Sequence, residues 1–166
     1  SNKYVKLLAG DRNLSIDVRY TGSIDIQYAD ITAKGSNDNF INVLGNANIS
    51  NCKFNNIGEK SKVNAIVLNQ SRYNTENNKI SINYNSIENF DNGIVVYATQ
   101  DAIDLIGNNI ENSNKGINLI NKSYTANKNI IDIYGNQINN NTIAINIEQK
   151  TMEKTKSYKD IEINKN

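Results

Sequence analysis

Apolar residues in this chain fall in short alternating runs, and the runs themselves recur. Ile80-x-Ile82 is followed by Ile87 and then Ile94-x-Val96. Ile103-x-Leu105 is followed by Ile110 and Ile117-x-Leu119, and Ile131-x-Ile133 by Ile138 and Ile145-x-Ile147. With Ile82, Leu105 and Ile133 as anchors, Asn stands three residues on (Asn85, Asn108, Asn136) and Ile five on. Asn returns seven on (Asn89, Asn112, Asn140), and a small residue stands eleven on (Gly93, Gly116, Ala144). The anchors lie about 23 and about 28 residues apart, the period range of a solenoid.

Alternation at period two describes a strand with one buried face. Runs of about three to five residues, split by Asn, Gly or Asp that tolerate left-handed backbone angles, describe a chain that turns after every short strand. Three turns per repeat, with each repeat stacked on the last, make a parallel β-helix. One coil cannot bury its own Ile residues, but stacked coils bury them in a continuous column. Each buried Ile contributes roughly 1.5–3 kcal/mol. The Asn three residues past the anchor falls where the second strand turns into the third. A column of such amides can bond neighbouring rungs, at roughly 0.5–1.5 kcal/mol per bond. Asn-rich composition alone also fits low complexity, but regularly spaced Ile supplies the core that disordered chains lack.

Read in order, residues 3–13 are the end of an earlier coil or a cap, with Val5 and Leu7 in alternation. Leu14-x-Ile16-x-Val18 reads as a first-sheet strand, Thr21-Gly22 as a turn and Ile24-x-Ile26 as second sheet. The Ile49 rung puts Phe54 in the core slot and Cys52 at the Asn position, which Ala29 occupies one rung earlier. The ladder is therefore expected only from Asn85 onward. Cys52 is a small buried filler or, as the alternative, a metal ligand. Insertions fall at turns: 58–64 between the third and first sheets, and 69–79 and 121–129 between the first and second, the last two carrying Arg72, Tyr73 and Tyr124. Residues 148–158 break the pattern with charges and suit a short helix, after which Ile161-Glu-Ile163 resumes the second sheet. The expectation is one domain of about five to six coils with ragged ends, and a piece of a longer protein. Its coil ends are candidate self-association surfaces.

Composition adds exclusions. The net charge of +1 gives no steering toward nucleic acid. No apolar run approaches the roughly 20 residues of a membrane-spanning helix. Cys52 is the single cysteine, so no intrachain disulfide forms. Ser1-Asn2 has the look of a cloning remnant, so an absent leader carries no information on secretion.

The Asn-x-Ile-x-Asn-x-x-x-Gly-Ile runs from Asn85 to Ile94 and from Asn108 to Ile117 resemble the right-handed parallel β-helix repeats of the pectate-lyase-like superfamily. The resemblance covers about residues 14–163. It implies an all-β, right-handed parallel β-helix solenoid, an extracellular or cell-surface location and a polysaccharide partner. It also implies that any catalysis would use the outward face of the first sheet.

On that face the outward columns read Asp17, Asn42, Val67, Val95, Asn118, Asn146 and Arg19, Leu44, Asn69, Tyr97, Ile120, Glu148. Hydrolysis needs clustered carboxylates, one acting as acid and one as base, yet Asp17 and Glu148 lie several rungs apart. A lyase resembling pectate lyase needs a basic residue beside an acidic calcium cluster, for which Arg19 near Asp17 is the available pair. The Asp-Pro-His signature of mannuronan epimerases is absent, since the chain has neither Pro nor His. Binding suits the face better, with Asn118 and Asn146 for sugar hydroxyls and Tyr97 for stacking; the plainer alternative is a solvated sheet. The outward Val67 and Val95 call for a covering loop or partner. On the second sheet, Asp104, Asp132 and Glu162 stack as an acidic column that Ca²⁺ would relieve. The alternative is neutralisation by nearby lysines. The functional expectation is a surface segment recognising polysaccharide, with membership of a lyase or hydrolase as an extension; the competing class is a structural stalk or adhesin segment.

Overall fold

The computed structural model describes residues 5–8, 15–34, 39–60, 62–68, 78–97, 102–121, 131–149 and 161–166. Among these residues every regular element is a strand. The first sheet contains β2 (Ile16–Val18), β5 (Asn39–Val43), β8 (Asn64–Leu68), β11 (Asn92–Tyr97), β14 (Lys115–Asn121) and β17 (Ile143–Gln149). The second contains β3 (Ser23–Gln27), β6 (Asn46–Ser50), β9 (Lys79–Asn83), β12 (Ala102–Ile106), β15 (Ile131–Tyr134) and β18 (Ile161–Asn164). The third contains β1 (Val5–Leu8), β4 (Ala29–Ala33), β7 (Lys53–Asn56), β10 (Ser86–Glu88), β13 (Asn109–Glu111) and β16 (Gln137–Asn139). Each strand pairs in parallel with the strands three before and three after it, which makes the chain an all-β parallel solenoid.

The register follows the sequence repeat. Ile82 pairs with Leu105, Leu105 with Ile133 and Ile133 with Ile163. Ile87, Ile110 and Ile138 align on the third sheet, and Ile94, Ile117 and Ile145 on the first. Apart from the exposed Ile163, these side chains belong to one core that runs from Val18 to Ile145, widened by an edge-to-face pair of Phe40 and Phe90 with centroids 4.9 Å apart. About four turns are packed in this way, below the five to six expected. The shortfall lies at the ends, where Ile24 and Ile26 are only partly buried and Ile143, Ile147 and Ile163 are exposed. Val5–Leu8 pairs with Ala29–Ala33, so it is the end of an earlier winding. Glu148 and Gln149 continue a strand; the rest of the suggested helix, 150–158, lies outside the described residues, as do Asn69, Arg72, Tyr73 and Tyr124.

Two local devices hold the corner between the second and third sheets. Inside it, amides stack: Asn85 Nδ2 donates to Asn108 Oδ1, Asn108 Nδ2 to Asn136 Oδ1 and Asn136 Nδ2 to Asn166 Oδ1, at 2.8–3.0 Å. Each Oδ1 also accepts the backbone N–H of the preceding rung, from Cys52, Asn85, Asn108 and Asn136 in turn. Each Nδ2 also reaches a strand carbonyl, of Ile49, Ile82, Leu105 and Ile133. Turning polar backbone inward is expensive unless every group is paired, and this ladder pairs them. It begins at Asn85, as the repeat predicts, and gains a fourth member in Asn166. Outside the corner, the residue just before the ladder position is left-handed on rung after rung: Tyr28, Asn51, Tyr84, Gly107, Gly135 and Lys165, with φ between 53° and 65°. Its N–H donates to the adjacent rung, as from Tyr28 to Ser50 O, Tyr84 to Ile106 O and Gly107 to Tyr134 O.

The third-to-first corner uses left-handed Asn89, Asn112 and Asn140. The small residues after them have a steric reason. A Cβ at Gly93 would meet Gly116 O at 2.7 Å, and one at Gly116 would meet Ala144 O at the same distance.

Candidate functional site

The first sheet carries the sequence-predicted binding residues in the expected register. Asp17 pairs with Asn42, Asn42 with Val67, Val67 with Val95, Val95 with Asn118 and Asn118 with Asn146. Tyr97 pairs with Ile120, which pairs with Glu148. Tyr97, Asn118, Asn146 and Glu148 therefore meet on three neighbouring strands. Asp17 and Arg19 are exposed beside the opposite edge of the sheet.

The middle of this face is closed to solvent. Val67, Val95 and Asn118 are each 3% exposed, and Val67, Val95 and Ile120 form a second apolar cluster against which Tyr97 packs. The two outward valines are thus covered, as their apolar character demands. Across the same face runs an amide chain that the alternation did not reveal. Asn64 Nδ2 donates to Asn39 Oδ1, Asn92 to Asn64, Asn118 to Asn92 and Asn146 to Asn118, at 2.7–2.9 Å. Asn118 thus spends one donor and one acceptor inside the protein. Asp17 Oδ1 accepts from Asn42 Nδ2 at 3.2 Å.

The second sheet presents a different surface. Asp25, Asn48, Ser81, Asp104, Asp132 and Glu162 occupy one register column. Three of its four acidic members, Asp104, Asp132 and Glu162, are consecutive in it, and the side chains of the first two are half-buried. Among the described residues no group of three or more Asp, Glu, Cys or His side chains gathers to hold a metal ion. At the other end of the sheet an open depression of about 480 Å³ lies over β3, β6 and β9, with Ser23, Asp25, Asn46, Asn48, Lys79 and Ser81 around it. Asp25 Oδ1 is held by Gln27 Nε2 at 3.0 Å and Asn48 Nδ2 at 3.1 Å. Asn46 Oδ1 accepts the Lys79 backbone N–H at 2.9 Å. The sequence signal for this site was the Asp25-Asn48-Ser81 half of the column whose other half is acidic.

Cys52 is 1% exposed and occupies the ladder position. Its thiol lies 3.2 Å from Ser50 O and 3.5 Å from Ile26 O, and burial pushes its pKa up. A neutral, enclosed thiol is a packing group.

No helix among the described residues is long and apolar enough to cross a membrane. Comparison with protein-family models, with curated proteins and with solved structures found no match, so the chain stands as a parallel β-solenoid defined by its own repeat.

Proposed function

We propose that this chain is a secreted or cell-surface β-helix segment that recognises polysaccharide. The observation that carries the reading is the depression on the second sheet, lined from three successive strands by Asp25, Asn46, Asn48, Lys79 and Ser81 together with the apolar Ile24 and Ala47. Sugar hydroxyls donate and accept at once, so they match a surface that mixes acceptors such as Asp25 with donors such as Lys79. The rigid strands beneath keep those groups in place before a ligand arrives, which lowers the ordering cost of binding. Tyr97, Asn118, Asn146 and Glu148 remain a second candidate patch on the first sheet. The pectate-lyase-like resemblance points to the same ligand class.

Turnover of the polymer is the weaker extension. Asp17 and Glu148 stand on the two edge strands of a six-stranded sheet, about 24 Å apart at normal strand spacing. Acid–base pairs in glycosidases stand within roughly 10 Å. A glycan array followed by calorimetry tests the proposal. Binding of at least one polysaccharide, weakened by Asp25→Asn and Lys79→Ala, supports it; no glycan bound at millimolar sugar sinks it.

A structural stalk is the second reading, favoured by the closed middle of the first sheet and by the exposed Ile143, Ile147 and Ile163 on the last winding. In that case copies associate through their coil ends, and sedimentation shows concentration-dependent growth.

A further inference from the structure

We infer that the outer corner between the second and third sheets carries a row of sugar-stacking platforms, Tyr28, Tyr84 and Tyr134, for an extended neutral polysaccharide lying along the solenoid axis. The inference rests on the polysaccharide reading but uses a different surface from the depression.

Tyr28 and Tyr84 have φ of 56° and 59°. A left-handed backbone is costly for a non-glycine residue, and a bulky residue there is an outlier. Asn51, Gly107 and Gly135 fill the same corner on other rungs with residue types that adopt this backbone readily, and Lys165 fills it on the last rung. Tyr84 is 62% exposed and Tyr28 37%, and neither belongs to the apolar core. Local strain kept without a packing return marks positions retained for what they present outward.

The spacing fits a polymer. Tyr28 and Tyr84 are separated by the single rung of Asn51. Tyr134 stands two rungs beyond Asn83, in the column one residue before the corner, and is 39% exposed. Two rungs span about 10 Å, the length of a disaccharide unit, so alternate rings of an extended chain meet successive tyrosines with the same face. A Cβ at Gly107 would lie 2.6 Å from Tyr84 Cδ1 and Cε1, so the Tyr84 ring leans over the glycine of the next rung. Lys165 Nζ lies over one face of the Tyr134 ring, 5.5 Å from its centroid, so the sugar is assigned to the opposite face. Ser50, Asn83 and Asn164, in register with Tyr134, supply hydroxyl and amide groups along the same line.

Affinity electrophoresis of the full chain in gels containing soluble β-1,4-glucan, β-1,4-mannan or polygalacturonate tests this, with melting temperatures measured on the same samples. The expected result is retardation by a neutral polymer and about three- to tenfold weaker binding in Tyr84→Asn and in Tyr28→Asn. Asn suits the left-handed corner, so both variants melt at or above the parent temperature. If both variants bind like the parent while Asp25→Asn and Lys79→Ala lose binding, the tyrosine row is overturned and the depression stands. A melting temperature lowered by Tyr84→Asn with binding unchanged also overturns the row, by making Tyr84 a packing residue. Absence of retardation of the parent in all three polymers overturns both sites.

Discussion

The corner between the second and third sheets has two sides, set by adjacent residues, and they obey different rules. On the inner side Asn85, Asn108, Asn136 and Asn166 repeat the same bonds rung after rung. On the outer side the neighbouring residues are Tyr84, Gly107, Gly135 and Lys165, four positions filled by three residue types. The inner side is closed to water, so each backbone N–H and C=O turned inward needs a partner, and the Asn amide serves both kinds. The outer side asks only for a left-handed backbone, which glycine and asparagine supply cheaply. Uniformity inside therefore reports a folding requirement, whereas a bulky exposed residue outside reports something the fold did not require.

The largest effect follows from breaking the inner side. Asn108→Leu removes the acceptor for the Asn85 N–H and Nδ2 and the donor to Ile82 O. Several buried polar groups left unpaired cost about 4 kcal/mol together, read as a shifted midpoint in urea. Gly107→Ala sharpens the contrast by straining the outer side alone. The new methyl meets the Tyr84 ring at a φ of 65°, and the loss is about 2 kcal/mol. The same change in a Tyr84→Asn background costs less, because the ring contact is gone while the backbone term remains. A loss as large as that of Asn108→Leu would erase the distinction between the two sides.

Cys52 gives the smallest effect, through pH. Burial raises the folded thiol's pKa, so the unfolded thiol ionises first as pH rises. The stabilisation is complete below the thiol's ordinary pKa and is lost as pH climbs through the folded value. The parent therefore loses stability at alkaline pH more steeply than Cys52→Ala, as denaturant midpoints across that range will show.

Much of this was legible in the residues. The inward columns follow from alternation plus period, because a one-residue slip would expose every Ile. The ladder from Asn85, the filler role of Cys52 and the covering of Val67 and Val95 follow from the same register. Asn166 was legible too, since it stands from Ile163 as Asn136 stands from Ile133. The amide chain from Asn39 to Asn146 was not. Asn92 lies two residues before the inward Ile94, so alternation assigns it to the core face; the close approach of the Gly93 and Gly116 rungs goes with a local departure from that alternation, and its amide meets Asn118. The number of packed turns was overread, because apolar spacing does not tell a covered winding from an end winding. The tyrosine corner gave no signal, since its residue type changes from rung to rung and the sign of φ is not written in a Tyr.

The most direct test of the account is native-state amide hydrogen exchange at Cys52, Asn85 and Asn108, whose N–H groups donate to the next Asn Oδ1. The account predicts that all three exchange only through global unfolding, with one shared free energy. Exchange at the rate of an open surface turn would contradict it.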